Sequence, residues 1–240
     1  MKAMILAAGR GERMRPLTDT CPKPLLKVRG RPLIVWHILN LVRAGITEIV
    51  INHAHLGHMI EEELGDGSKF GATIAYSREE TALETAGGIA YALHLLGDEP
   101  FLVLSGDIYC PYFDFEQTKD VLHDKDVLGN PYPADKRDAC WVYLTPNPWH
   151  NTKGDFALNM FSVANTGAEL WNFSNIGVYR PEMFKHIVPG ERAGLGLLIR
   201  KYADLGQVGG ELFDGDWVNV GTVEQLDELN APLGARAKAS

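Results

Sequence analysis

Cysteine is scarce in this sequence: Cys21, Cys110 and Cys140 are the three among 240 residues, and no two form a CxxC pair. An odd, scattered set excludes a disulfide framework and predicts a reducing, cytoplasmic setting. Long hydrophobic runs are absent as well. Nothing approaches the roughly 20 apolar residues that span a bilayer, and the opening MKAMILAAG is too short and too quickly charged for a secretory signal. Cations are outnumbered, with 23 Lys and Arg against 31 Asp and Glu and a net charge of −8. That balance argues against nucleic acid as a partner, because phosphate backbones demand a basic face; no membrane partner is expected either. Repeats, low-complexity tracts and Pro/Gly/Ser linkers are also missing, so residues 1–240 read as one domain.

What is present is an ordinary globular composition, 45% hydrophobic, on a chain long enough for a full core. Strand signals at Ala3–Leu6, Glu48–Asn52, Thr73–Tyr76 and Phe101–Leu104 alternate with helical spacing at Pro32–Ala44, Leu56–Leu64 and Thr85–Leu96. Such alternation predicts an α/β fold with a mostly parallel sheet flanked by helices. In such sheets ligands bind beyond the carboxyl ends of the strands. After Asp114 the pattern loosens: a helix over Phe115–Lys125, strands over Ala139–Thr145 and Trp171–Tyr179, a helix over Ala193–Tyr202, a short strand over Gln207–Gly210 and a closing helix over Thr222–Leu229.

The few cations are unevenly placed. Arg10, Arg13, Arg15, Lys23, Lys27, Arg29 and Arg31 crowd into residues 10–31, within and after LAAGRGERMRPLTDTCPKPLLKV, directly after the first strand. A dinucleotide fingerprint would need a third glycine where Met14 stands, and Pro16, Pro22 and Pro24 prevent one continuous helix. An NAD-dependent oxidoreductase is disfavoured on those grounds. A P-loop is absent too. What remains is a long, extended loop in which Gly9 and Gly11 let backbone N–H groups converge on an anion. Arg13 can fork onto one phosphate while Lys23 acts as a point charge on another. A flexible, solvated basic loop is the plainer alternative.

This stretch resembles the GxGxR…PKP signature of the sugar-1-phosphate nucleotidylyltransferase family at Gly9, Gly11, Arg13, Pro22, Lys23 and Pro24. LETAGGI (83–89), VLSGD (103–107), NIGVY (175–179) and WVNVGT (217–222) extend the resemblance over most of the chain. It implies a Rossmann-like nucleotidyltransferase fold without a C-terminal β-helix, with a nucleotide-binding half over about 1–112 and a sugar-binding half over about 113–230. The implied reaction is attack of a sugar-1-phosphate oxygen on the α-phosphorus of a nucleoside triphosphate, releasing pyrophosphate with Mg²⁺ assistance. Within the family the likeness runs to members that use UTP and N-acetylmuramate 1-phosphate in bacterial cell-wall recycling. Guanylyl or thymidylyl transfer to another hexose 1-phosphate is the enzymatic alternative, and a non-catalytic regulatory homologue the other. The partners implied are small molecules, for a monomer or small homo-oligomer.

The resemblance also implies roles for individual residues. Arg13, Lys23 and Asp107 would be catalytic, with Arg13 on the β/γ end of the triphosphate and Lys23 on the α-phosphoryl. Leu6, Ala8, Gly9, Gly11, Glu79, Ala82, Gly87 and Gly106 would complete the nucleotide site. Glu79 stands at the base-reading position, where a carboxylate can accept from uracil N3–H or guanine N1–H; SREE reads equally as a solvated turn. Thr85 is expected to cap its helix, and Glu84 stands where many members have glycine. Asp107 would hold Mg²⁺, although an N-cap or turn role is the common use of such an aspartate. Asn219 is the expected second ligand, in preference to Asp216, because alternation places it with Trp217 opposite Val218 and Val220. Gly154, Asn175 and Asn219 would face the sugar, with Trp149 or Trp171 lining its pocket. His53, His55 and His58 straddle a strand end, a loop and a helix start, and read as a polar loop ahead of zinc. The cysteines lack basic neighbours and read as structural.

Overall fold

The computed structural model describes residues 1–124, 132–133 and 137–232. β1 (Ala3–Leu6) leads into the one-turn helix α1 (Leu17–Thr20) and a ribbon of β2 (Lys27–Val28) and β3 (Arg31–Pro32). Then come α2 (Leu33–Arg43), β4 (Glu48–His53), α3 (Gly57–Leu64), β5 (Thr73–Arg78), α4 (Glu84–Leu96), β6 (Phe101–Ser105) and β7 (Ile108–Tyr109). The second half contributes β8 (Cys140–Thr145), β9 (Ala157–Asn159), β10 (Ser162–Ala164), β11 (Asn172–Tyr179), α5 (Leu195–Asp204), β12 (Val208–Leu212), β13 (Val218–Asn219) and α6 (Val223–Asn230).

Nine of these strands form one sheet in the order β5-β4-β1-β6-β11-β8-β12-β10-β9. The first four are parallel, because a helix carries the chain back from β4 to β5 and from β5 to β6. Beyond β6 the pairing turns antiparallel at β11 and β8, whose connection contains no such helix; β12 returns parallel to β8. The fold is α/β, as the alternation predicts.

Strand alternation divides the core. Ile5, Ile49, Ile51 and Leu104 face α2 and α3, while Met4, Val50, Phe101 and Val103 face α4 and α5. A smaller third cluster joins Met14, Leu26, Val28 and Leu33 to Tyr109, Val220, Leu226 and Leu229. It sits beneath the loop that follows β1. α6 is anchored there by a capping box in which the Thr222 side chain and Gln225 satisfy each other's backbone N–H groups.

Four local expectations are corrected. Residues 7–24 are coiled, with turns at Glu12–Met14 and Lys23–Leu25 flanking α1. The prolines forbid a long helix but are tolerated in a first turn, as Pro24 is here. The helix expected over Phe115–Lys125 is a 3₁₀ turn at Glu116–Asp120, tightened by Thr118 Oγ1 donating to Phe115 O, and Lys125 lies outside the described residues. Helix α5 starts at Leu195 because the Ala193 carbonyl is taken by the N–H groups of Ala86 and Gly87. Finally, Thr85 is not an N-cap. Leu83 holds that position, and Thr85 Oγ1 accepts instead from the Leu195 N–H at 2.8 Å.

Candidate active site

Two cavities open beyond the carboxyl ends of β1 and β6, and Leu6, Thr85 and Ser105 line both. The first, about 200 Å³, is walled by the backbone turn at Ala7–Gly9 with Lys23, Asn52, Ala82 and Asp107. A shallower mouth of about 230 Å³ continues from it past Gly9, Gly11, Arg13 and Gly221.

The seven cations of the N-terminal cluster sort themselves by partner. Arg10 and Arg15 both bond Asp19, and Arg31 lies over the Trp36 ring. Lys27, Arg29 and Arg31 belong to the β2–β3 ribbon and line neither cavity. Arg13 and Lys23 remain at the mouth. Lys23 is 8% exposed and donates to Asp107 Oδ2 at 2.6 Å, so loop and β6 turn are joined by one ion pair. Gly9 has open space where a Cβ would stand. Gly11 adopts φ +70°, and a Cβ there would fall 2.9 Å from Thr18 Cγ2. Thr18 also donates to the Gly11 carbonyl, fixing the turn that presents Arg13.

Asn219 pairs with Ile108 across β13 and β7, and the Val220 N–H donates to the Asp107 carbonyl at 2.9 Å. Trp217 packs toward the main core, whereas Val218 and Val220 belong to the third cluster, so the expected alternation holds. Asn219 Oδ1 is buried and has no hydrogen-bond partner, while Asp216 is exposed. The orphaned amide oxygen is on the strand that pairs with β7, and β7 is next in sequence to Asp107. That oxygen, and a carboxylate whose Oδ1 takes part in no hydrogen bond among the described residues, are donors of the kind a hard divalent cation takes. Among the described residues no cluster of three or more His, Cys, Asp or Glu could hold a metal, so any ion here would depend on ligand oxygens as well.

Several expected nucleotide contacts are placed elsewhere. Glu79 is buried and lines neither cavity: its Oε1 accepts from Asn52 and its Oε2 from the Leu83 N–H. Burial pushes its carboxyl pKa up, against those two bonds. It braces the loop before α4. A Cβ on Gly87 would fall 2.3 Å from the Glu191 carbonyl, and one on Gly106 2.9 Å from the Leu6 carbonyl, so both are close-packing positions behind the cavity wall. Glu84 does line the cavity, at φ +62°, a left-handed conformation that glycine adopts without steric cost. Sequence reasoning missed Asn52, whose Oδ1 accepts from the Ala7 N–H. A polar residue ending a β-branched strand was the available signal.

The second cavity, about 250 Å³, lies over β11. Asn175 lines it at φ +61°, within the irregularity that shifts the β11–β8 register between Phe173 and Gly177. Polar walls that this cavity does not share with the first are Asp155, Asn172 and Arg200. Of these the sequence pointed to Asp155 alone, through its place in the loop 147–156 that the resemblance sets at the sugar. Gly154 does not reach the cavity. At φ +71° it abuts the Leu170 carbonyl, 2.4 Å from where a Cβ would be. Asn219 also lies outside this cavity, beside Ile108. Trp149 is 76% exposed and Trp171 packs into the core, so Phe156, Phe173 and Tyr179 supply the aromatic lining instead.

The histidines have separate duties. His53 bonds Glu61, which Arg78 holds down at a pKa of about 2, whereas His55 contacts the Thr18 carbonyl and Arg10. Cys110 and Cys140 are buried, and burial pushes the Cys110 thiol up to about 12. No helix among the described residues is long and apolar enough to cross a membrane.

Residues 2–129 match the family model described as nucleotidyl transferase. The chain belongs to the nucleotidyl transferase family. A family member from Neisseria meningitidis serogroup B, N-acetylmuramate alpha-1-phosphate uridylyltransferase, is 50% identical over 98% of this chain and 99% of its own length. UTP--glucose-1-phosphate uridylyltransferase of Synechocystis is 32% identical over 93% of this chain and 61% of its own. The fold is shared with a Bacillus anthracis structure assigned as a glucose-1-phosphate thymidylyltransferase, at TM-score 0.78, 21% identity and coverage of 100% and 96% of the two chains. These relatives make the protein an enzyme of the sugar-1-phosphate nucleotidyltransferase class.

Proposed function

We propose that this enzyme transfers UMP from UTP to N-acetylmuramate 1-phosphate, forming UDP-N-acetylmuramate and pyrophosphate, with Mg²⁺ and in the cytoplasm. The observation that carries the reading is the adjoining pair of cavities, with the Lys23–Asp107 pair beside their shared wall. The near full-length likeness to the Neisseria relative supports the choice of substrates. The mannose-1-phosphate guanyltransferases of Xenopus laevis, 40% identical, match over 48% of this chain.

No side-chain nucleophile is required, because the attacking sugar phosphate is already an anion. The work left to the protein is alignment and charge neutralisation. The Ala8 and Gly9 backbone lies along the nucleoside, and Ala82 closes the other wall. Arg13 forks onto the β/γ end of the triphosphate. Lys23 Nζ releases part of its bond to Asp107 and donates to the α-phosphoryl oxygens as charge builds there. Asp107 and Asn219 Oδ1 would hold Mg²⁺, which when bound supplies neutralising charge to the phosphate oxygens. Asn175 and Asp155 orient the sugar so that its phosphate oxygen stands in line with the breaking P–O bond to pyrophosphate. Residues 1–112 carry the nucleotide and the later half most of the sugar.

A matrix of four nucleoside triphosphates against several sugar 1-phosphates, read by pyrophosphate release, tests this directly. UTP with N-acetylmuramate 1-phosphate should give the highest kcat/KM. Preference for GTP with mannose 1-phosphate would replace the proposal with guanylyl transfer.

A further inference from the structure

The sugar-side cavity contains one cation that the reaction does not account for. Arg200, on α5, is half-buried and is the sole Lys or Arg among the described residues lining that cavity. Its guanidinium carbon lies over the Phe156 ring, 4.7 Å from the ring centre, a cation–π contact that holds the group in place. Its one side-chain hydrogen bond is a long one, 3.4 Å from Nη1 to Asn165 Oδ1. No carboxylate among the described residues forms an ion pair with it, although Asp155 lines the same cavity. Asp155 Oδ2 is already committed to the Phe173 N–H and Asn151. A planar cation with most of its five N–H donors unused, held over an aromatic ring inside a cavity, is built to receive a planar anion.

The sugar phosphate is not that anion. It must react at the wall shared with the nucleotide cavity, which Leu6, Thr85 and Ser105 form, whereas Arg200 and Phe156 line the sugar-side cavity alone. We propose that Arg200 is a specificity-determining residue that recognises a carboxylate carried by the sugar itself, remote from its C1 phosphate. This inference rests on the proposed substrate, whose 3-O-lactyl group ends in such a carboxylate. The guanidinium would accept it side-on as a forked pair, and sugars lacking the acid would leave a desolvated cation unpaired.

The test uses UTP and Mg²⁺ with three acceptors: N-acetylmuramate 1-phosphate, its lactamide, in which carboxamide replaces carboxylate, and N-acetylglucosamine 1-phosphate. For the wild-type protein kcat/KM should fall about 10- to 100-fold from acid to amide. In Arg200→Met the acid-to-amide ratio should collapse toward unity. Arg200→Lys, which keeps the charge without the fork, should give an intermediate ratio and decides the matter if the methionine variant does not fold. Equal use of acid and amide by the wild-type protein, or a ratio unchanged in either folded variant, would overturn the assignment. Inactivity with all three acceptors alongside turnover of glucose 1-phosphate would overturn the substrate reading, and this inference with it.

Discussion

The two cavities are made differently. The proposed nucleotide side is walled by backbone turns, small residues and the Lys23–Asp107 ion pair, drawn from short pieces between residues 6 and 107. The proposed sugar side is walled by bulky and polar side chains from β1, α4, β6, β11, α5 and the segment before β9. A backbone-built site suits the part of the substrate common to every turnover, because glycine turns and main-chain N–H groups leave little room for variation. A side-chain-built site can be re-specified one residue at a time. The relatives, uridylyl-, guanyl- and thymidylyltransferases among them, differ in both sugar and base.

The comparison can be broken hardest at Lys23. Lys23→Ala should lower kcat by about 10²- to 10³-fold, as loss of a preorganised donor to a developing charge does, while KM for the sugar phosphate barely moves. Steady-state pyrophosphate release checks this; wild-type turnover would remove Lys23 from the chemistry. Acid should sharpen it next. His37, buried beneath β7 with Nε2 unpartnered, has its pKa pulled down to about 4 by desolvation, against a backbone bond at Ile108 and the Asp107 charge. Its folded pKa is lower than its unfolded one, so its contribution is complete above about pH 6.5 and is lost as pH falls toward 4. The loss amounts to about 3 kcal/mol. In the sugar half, burial raises the carboxyl pKa of Asp138, which acts in the opposite sense. Urea unfolding across that pH range should therefore show a steep loss in the wild-type protein and a shallower one in His37→Gln.

A smaller effect separates two residues three positions apart. Asn219→Ala should raise the Mg²⁺ concentration for half-maximal rate about tenfold, whereas Asp216→Ala, altering an exposed side chain, should leave it unchanged. The reverse result would mean that the β13 register is misread. Smallest is the joint between the halves. Thr85→Val removes the acceptor of the Leu195 N–H and should cost about 1 kcal/mol of stability, with a few-fold rise in KM for the sugar phosphate and little change in KM for the nucleotide.

The same contrast governs how much the chain discloses before it is folded. The nucleotide side is legible because its parts are local: β-branched strands, glycines directly after β1, and a lysine fixed between prolines. Asp107 and Lys23 were each legible, but their ion pair was not, and it forms because Asp107 follows β6, the parallel neighbour of β1. Glu79 could not be read correctly, since its partners Asn52 and Leu83 meet it only in the fold. Thr85 looked like a cap because its partner lies 110 residues away. Arg200 occupies an unremarkable position in an amphipathic helix, and only the ring of Phe156 and the cavity beside it set it apart. Gly154 and Asn175 both take positive φ, yet one is buried against a carbonyl and the other faces the cavity. Composition does not distinguish those two uses.

The third hydrophobic cluster has a consequence for how the molecule is made. Leu226 and Leu229 of α6 pack under Met14 and Leu26, and Asn230 bonds the Arg29 N–H across 201 residues. The ribosome releases the loop bearing Arg13 and Lys23 well before the helix beneath it. Until α6 follows, that basic loop is therefore exposed without its floor, even while the parallel strands beside it assemble. A nascent chain halted shortly before Val220 should own a sheet but no ordered mouth around Arg13 and Lys23, so on the proposed function capture of a triphosphate should await α6.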